Sequence, residues 1–156
     1  MLRITIPGFA TLTLGHLVCD YNGTLAHDGR LISGVAERLT ALSRQLCVHI
    51  ITADTFGSVA AETDALPREL AIIPKEAQDQ AKQEYIAKLG TAGVVALGNG
   101  RNDRLMLADA ALGIAVIQGE GAASAALTAA DLCTPDILAA LDLLANPERL
   151  IATLRN

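Results

Sequence analysis

Leu17-Val18-Cys19-Asp20-Tyr21-Asn22-Gly23-Thr24-Leu25 is the stretch from which the rest of the chain can be read. Its first three residues are apolar without alternation, the pattern of a strand buried on both faces of a sheet. Asp20 ends that run and Gly23-Thr24 opens a turn, so a carboxylate is expected at the carboxyl end of a central strand.

On the N-terminal side, Arg3-Ile4-Thr5-Ile6 and Thr11-Leu12-Thr13-Leu14 alternate with period two about Pro7-Gly8, which predicts a β-hairpin, read as an addition to the sheet edge. On the C-terminal side, Ser33 is expected to cap a helix carrying Val35, Leu39, Leu42 and Leu46, and Val48-His49-Ile50-Ile51 then forms a second buried strand ending at Thr52. The alternation continues with a helix over 55–65, a strand over 70–73 and a helix over 75–89. Strands follow over 93–97, 113–117 and 130–133. Thr134-Pro135 and Asn146-Pro147 each place a capping residue before a proline suited to a first helical turn, so two C-terminal helices are expected to begin there. Strands alternating with helices predict an α/β fold: a three-layer, Rossmann-like, mostly parallel sheet with helices on both faces, in a single domain spanning 1–156.

Composition agrees. The 156 residues suffice for one domain with a real core, and 51% hydrophobic content with only 3% aromatic and no Trp implies packing by Ala, Leu, Ile and Val. A net charge of −5 without clustered Lys or Arg argues against nucleic acid as a partner. Cys19, Cys47 and Cys133 are odd in number and in no metal-ligand spacing, as expected of a reducing compartment, and are read as small buried hydrophobes. Residues 1–15 lack the apolar run of a signal peptide, and no stretch approaches a membrane span, so the expected location is the cytoplasm, with no membrane partner.

In an open parallel sheet, ligands collect at the carboxyl ends of the strands, near the point where strand order reverses. Asp20, Thr52 and the segment Gly98-Asn99-Gly100-Arg101-Asn102-Asp103 all follow predicted strand ends. Asp20-Tyr21-Asn22-Gly23-Thr24-Leu25 resembles the first motif of the haloacid dehalogenase superfamily, written DxDGT. Ile51-Thr52-Ala53-Asp54 resembles its second motif, the Gly98–Asp103 segment its fourth, and 111–116 continues in the manner of the phosphorylation domain of P-type cation pumps. Together they resemble the small, capless "soluble P-type ATPase" group of that superfamily.

The resemblance implies that Asp20 is a nucleophile attacking a phosphoryl group, and that Thr52 and Ala53 bind phosphoryl oxygens. Lys82 is taken as the third-motif lysine that steadies the shared charge, with Lys75 as its rival and Lys88 as a solvated side chain. The implied cofactor is Mg²⁺, held by Asp20, the Asn22 backbone carbonyl, Asn99 and, directly or through water, Asp103. Each residue also has a plainer reading: Asp20 as a strand end, Thr52 and Asp54 as caps, Lys82 as a solvated helix lysine, and 98–103 as a turn opening a helix.

Two positions depart from the phosphatase pattern. Asn22 stands where a second Asp would protonate the leaving group and activate water, and an amide does neither at neutral pH. Asn99 replaces a metal-binding Asp, so Mg²⁺ is expected to bind more weakly. The interval from Asp20 to Thr52, 52 − 20 = 32 residues, has room for one flap and one helix and none for a cap domain. An uncovered site suits a phosphorylated small molecule or a protein-borne phosphate, or is covered by another subunit, and by the resemblance a homo-oligomer such as a tetramer is expected. The expected activity is a slow Mg²⁺-dependent phosphohydrolase, the alternative being a non-catalytic phosphate- and Mg²⁺-binding regulatory or interaction module.

Overall fold

A computed structural model describes residues 1–54 and 57–156. The chain begins with strands β1 (Leu2–Ile6) and β2 (Ala10–Leu14), followed by the central strand β3 (His16–Asp20). A small flap, β4 (Ala26–His27) and β5 (Arg30–Leu31), leads into α1 (Val35–Leu42) and β6 (Cys47–Thr52). Next come α2 (Ser58–Glu62), β7 (Glu69–Ile72), α3 (Gln78–Leu89) and β8 (Val94–Gly98). The last part holds α4 (Arg104–Asp109), β9 (Leu112–Val116), α5 (Ser124–Ala129), β10 (Leu132–Thr134), α6 (Ile137–Ala145) and α7 (Pro147–Leu154).

Six strands form one parallel sheet in the order β10-β9-β8-β3-β6-β7. From β3 the chain moves outward through β6 and β7, then returns to β8 on the other side, so strand order reverses beside β3. This is where a crevice opens at the carboxyl ends of a parallel sheet. One face of the sheet, including Leu17, Ile50, Leu97 and Ile114, packs against Val35 and Leu39 of α1 and Ile137 and Leu141 of α6. The other face, including Val18, Ile51 and Ala96, packs against Ile86 of α3 and Met106 and Leu107 of α4. The expected three layers without a cap are therefore present. Arg38 joins two helices of the first layer by donating from Nε and Nη2 to Asp142 at 2.7 and 3.1 Å. On the second face, Gly113 permits α4 to lie close, because a Cβ there would stand 2.2 Å from the Leu107 carbonyl oxygen.

Several local expectations need correction. The hairpin is a separate two-stranded sheet and not an addition to the main sheet edge. Gly15 turns the chain out of it, its N–H donating to Gly93 O and its carbonyl accepting from Cys47 N. Of the three cysteines only Cys19 is buried. Cys47 opens its strand at the sheet end, and Cys133 lies exposed on the edge strand β10. The helix expected over 55–65 is the single short turn of α2, and the start of that expectation, residues 55 and 56, lies outside the described residues. The helix expected from residue 75 begins at Gln78, because Ala77 has φ 49°. The cap of α6 is Asp136, which accepts from Ala139 N at 2.7 Å, and not Thr134. Helix α4 follows the 98–103 turn, as the reading of a turn opening a helix implies, and both it and α5 are short, six residues each. Among the described residues no helix is long and apolar enough to cross a membrane.

Candidate active site

Asp20 is the last residue of β3, between β6 and β8, so its carboxylate emerges where strand order reverses. The next residues form a tight turn in which the N–H groups of Thr24, Leu25 and Ala26 all donate to Tyr21 O. Gly23 has φ 81°, and a Cβ there would lie 2.6 Å from the Asn99 side chain and 2.7 Å from that of Glu120, so only glycine fits. Gln118 fixes the turn from below. Its Nε2 donates to the carbonyls of Gly23 and Thr24 at 3.0 and 2.6 Å while its Oε1 accepts from Ile137 N at the start of α6.

Lys82 lies on the inward face of α3, one turn before the buried Ile86. It is 1% exposed, and its ammonium donates to Asp20 Oδ1 at 2.7 Å and Asp103 Oδ1 at 2.6 Å. Asp103 is fully buried, and its second oxygen accepts from the N–H groups of Asn99 and Gly100 at 3.0 and 2.8 Å. Its two oxygens thus join Lys82 to the backbone of the 98–100 loop. Thr24 Oγ1 lies 3.2 Å from both Asp20 Oδ2 and Asn99 Oδ1, linking the first and last motif segments.

Above Asp20 is a cleft of about 440 Å³ whose lining includes Asn22, Thr52, Ala53, Asn99 and Glu120. Thr52 is buried at the end of β6, and the Asn22 side chain is exposed. Lys75 lines the mouth and Lys88 lies exposed on α3. Asp54 also lines the cleft and accepts from Val59 N at 2.9 Å, which ties it to the start of α2. Glu120, Gln118 and Thr24 were not singled out from the sequence as site residues. Thr24 carried a signal, as part of the first motif, whereas Glu120 and Gln118 reach the site from the loop after β9 with no pattern to mark them.

Burial, then the charge of Asp103, raises the Asp20 pKa to about 7, although Lys82 and Thr24 act in the opposite direction. Burial on its own would lower the Lys82 pKa, but Asp20 and Asp103 outweigh it and hold that pKa above the ordinary lysine value. Two carboxylates and one ammonium leave this buried group net negative when ionised, and at the rim Glu120 and Asp54 add to that charge while Lys75 offsets only one of them. Such a cleft repels a phosphate dianion unless a further cation enters. Its donors are carboxylate, amide and hydroxyl oxygens, which is the ligand set of a hard divalent cation such as Mg²⁺.

No protein-family model matches the chain. An uncharacterized protein of Methanocaldococcus jannaschii is 51% identical over 63 residues, 40% of this chain and 68% of that protein. The crystal structure of 3-deoxy-D-manno-octulosonate 8-phosphate phosphatase from Moraxella catarrhalis, in complex with magnesium, phosphate and a KDO molecule, superposes with a TM-score of 0.71. The identity there is 17%, over 91% of this chain and 94% of that one. A zinc-transporting PIB-type ATPase in its E2.Pi state matches 79% of this chain and 20% of its own length, at 26% identity and a TM-score of 0.62. The chain belongs to one family with the Methanocaldococcus jannaschii protein, and its fold is that of the haloacid dehalogenase superfamily.

Proposed function

We propose that the protein is a slow, Mg²⁺-dependent phosphohydrolase that forms a phosphoryl-aspartate at Asp20. The observation that carries this reading is the Asp20 carboxylate at the floor of an oxygen-lined cleft, held from one side by Lys82 and from the other by Thr24. One Asp20 oxygen attacks phosphorus as the bond to the leaving oxygen breaks, and the leaving group departs as an anion. Water then attacks the acyl phosphate, which restores the carboxylate and releases inorganic phosphate. Lys82 offsets the charge that collects on Asp20 and the transferring group, and Asp103 positions Lys82 and the 98–100 loop. Thr52, with the backbone at Ala53, binds phosphoryl oxygens from the end of β6. Asp20, the Asn22 carbonyl and Asn99 Oδ1 would hold Mg²⁺, which would supply neutralisation of phosphoryl charge.

With an amide at position 22, nothing there protonates the departing oxygen, so aryl and acyl phosphates are the favoured substrate class. The absence of a cap leaves room for a bulky or protein-borne phosphate. The test is an acid quench after incubation with acetyl phosphate or an aryl phosphate and Mg²⁺. The peptide containing Asp20 should gain one phosphoryl group that hydroxylamine removes. No adduct and no turnover with either donor would overturn the proposal.

The raised Asp20 pKa makes cation binding proton-linked. Below about pH 7 the carboxyl holds a proton that Mg²⁺ must displace, so the apparent Kd should weaken about tenfold per pH unit there and level off above it. Calorimetric Mg²⁺ titrations at a series of pH values, in buffers of differing ionisation enthalpy, measure both the slope and the released proton.

A further inference from the structure

At the opposite end of the sheet from Asp20, three residues with soft or borderline donor atoms come together. His16 opens β3 and Cys47 opens β6, and the parallel register pairs His16 with Cys47 and Val18 with His49. Residues paired in register share a face, and side chains two apart on a strand share a face as well. His16, Cys47 and His49 therefore all project on the side covered by α3. His16 Nδ1 lies 3.0 Å from His49 Nε2, and one ligand atom from each of the three residues lies within 4.8 Å of the others.

From this geometry we infer that His16, Cys47 and His49 form a second metal site, selective for a borderline divalent cation of the zinc type and separate from the phosphoryl-transfer cleft. Donor atoms around a tetrahedral zinc stand about 3.3 to 3.6 Å apart, given Zn–N and Zn–S bonds of about 2.0 and 2.3 Å. The two imidazole nitrogens already have nearly that spacing. Cys47 is exposed at the strand end, and its Sγ already lies within 4.8 Å of a ring nitrogen of each histidine.

The surroundings resemble those of a ligating histidine. His49 is 4% exposed, among the apolar residues that line this face, and its other ring nitrogen, Nδ1, is 2.9 Å from the Tyr85 hydroxyl on α3. A ligating imidazole needs a partner on its second nitrogen to fix its tautomer and ring orientation, and Tyr85 Oη is placed to accept that proton. The register also sets Glu69 opposite His49 on the neighbouring strand, adding a carboxylate to the same face. Binding is balanced as follows: the cation takes lone pairs from His16 Nδ1, His49 Nε2 and the Cys47 thiolate, the His49 proton resides on Nδ1, and the thiol proton is released to solvent. A hydrogen-bonded Tyr-His-His chain alone would account for the two rings but not for the thiol beside them.

His16 and Asp20 are four residues apart on one strand, about 13 Å, so a single ion cannot serve both sites. Their donor sets also differ: oxygen ligands favour Mg²⁺, and nitrogen with thiolate favours Zn²⁺ or Co²⁺. Cation identity therefore separates this inference from the proposed hydrolase activity, and either can fail without the other.

The experiment is a Co²⁺ titration of the full, reduced, metal-free chain, read by absorption. One equivalent should produce visible d–d bands and a near-ultraviolet thiolate-to-cobalt charge-transfer band. Zn²⁺ should bleach both, excess Mg²⁺ should not, and Asp20→Asn should leave them intact. Cys47→Ser, a change at an exposed position, should abolish the charge-transfer band. Tyr85→Phe should weaken affinity about tenfold, and His16→Gln by at least about 100-fold. Absence of the thiolate band in the unsubstituted protein, its persistence in Cys47→Ser, or saturation at half an equivalent, which denotes an ion shared between two chains, would each overturn the single-chain site. Because Cys47→Ser alters no buried contact, it decides the question even if a histidine variant does not fold.

Discussion

Asp20→Asn is expected to abolish aryl phosphate turnover, a loss on the order of 10⁵-fold or more, while leaving the protein folded. The chemical loss follows from the route: an amide does not attack phosphorus to form the acyl phosphate, and binding without a nucleophile leaves only the background reaction. Retention of the fold follows from the hydrogen bonds. The new amide oxygen can accept from Lys82, and the amide nitrogen can donate to Thr24 Oγ1. The Thr24 hydroxyl then donates to Asn99 Oδ1, already 3.2 Å away. Lys82 keeps Asp103 as its counter-charge, so the buried group changes from net negative to neutral. Stability should therefore hold or rise slightly, by no more than about 1 kcal/mol. Chemical denaturation together with a steady-state assay checks both statements, and undiminished turnover in a folded variant would remove Asp20 from the mechanism.

Asn22→Asp is expected to do the reverse and raise turnover of alkyl phosphates by about 10² to 10⁴, the usual worth of general acid and base help. Asn22 faces the cleft and is exposed, so a carboxylate there costs little desolvation, and its bridge with Ala26 is a backbone feature that the change preserves. The gain should be largest for substrates with poor leaving groups and nearly vanish for acyl phosphates, which need no protonation. Rates across a series of substituted aryl phosphates should accordingly depend less on leaving-group acidity in the variant. Equal rates for both proteins across that series would mean that something other than the missing acid limits the reaction. Turnover by the variant alone, with none in the natural sequence, would favour the regulatory phosphate-binding reading over a hydrolase.

The sequence by itself determined the layers and the order of the motifs. Unbroken apolar runs such as 17–19 and 94–97, separated by helical patterns, have few solutions other than a covered parallel sheet, and strand ends in such a sheet put Asp20, Thr52 and Asn99 on one rim. Those signals are local, because the period of a strand or helix is set by the residues within it. What only the tertiary structure decided depends on how distant elements are rotated and registered. Lys75, Lys82 and Lys88 are equivalent as charges along the chain. The rotation of α3 alone points Lys82, on the stripe shared with Ile86, between Asp20 and Asp103 and leaves Lys75 at the mouth of the cleft. The same nonlocality joined Asp103 to Lys82, brought Glu120 to the rim of the cleft, and made neighbours of His16, Cys47 and His49, whose separation in sequence, 47 − 16 = 31 residues for the first two, carries no metal-ligand pattern until the pairing of β3 with β6 closes it.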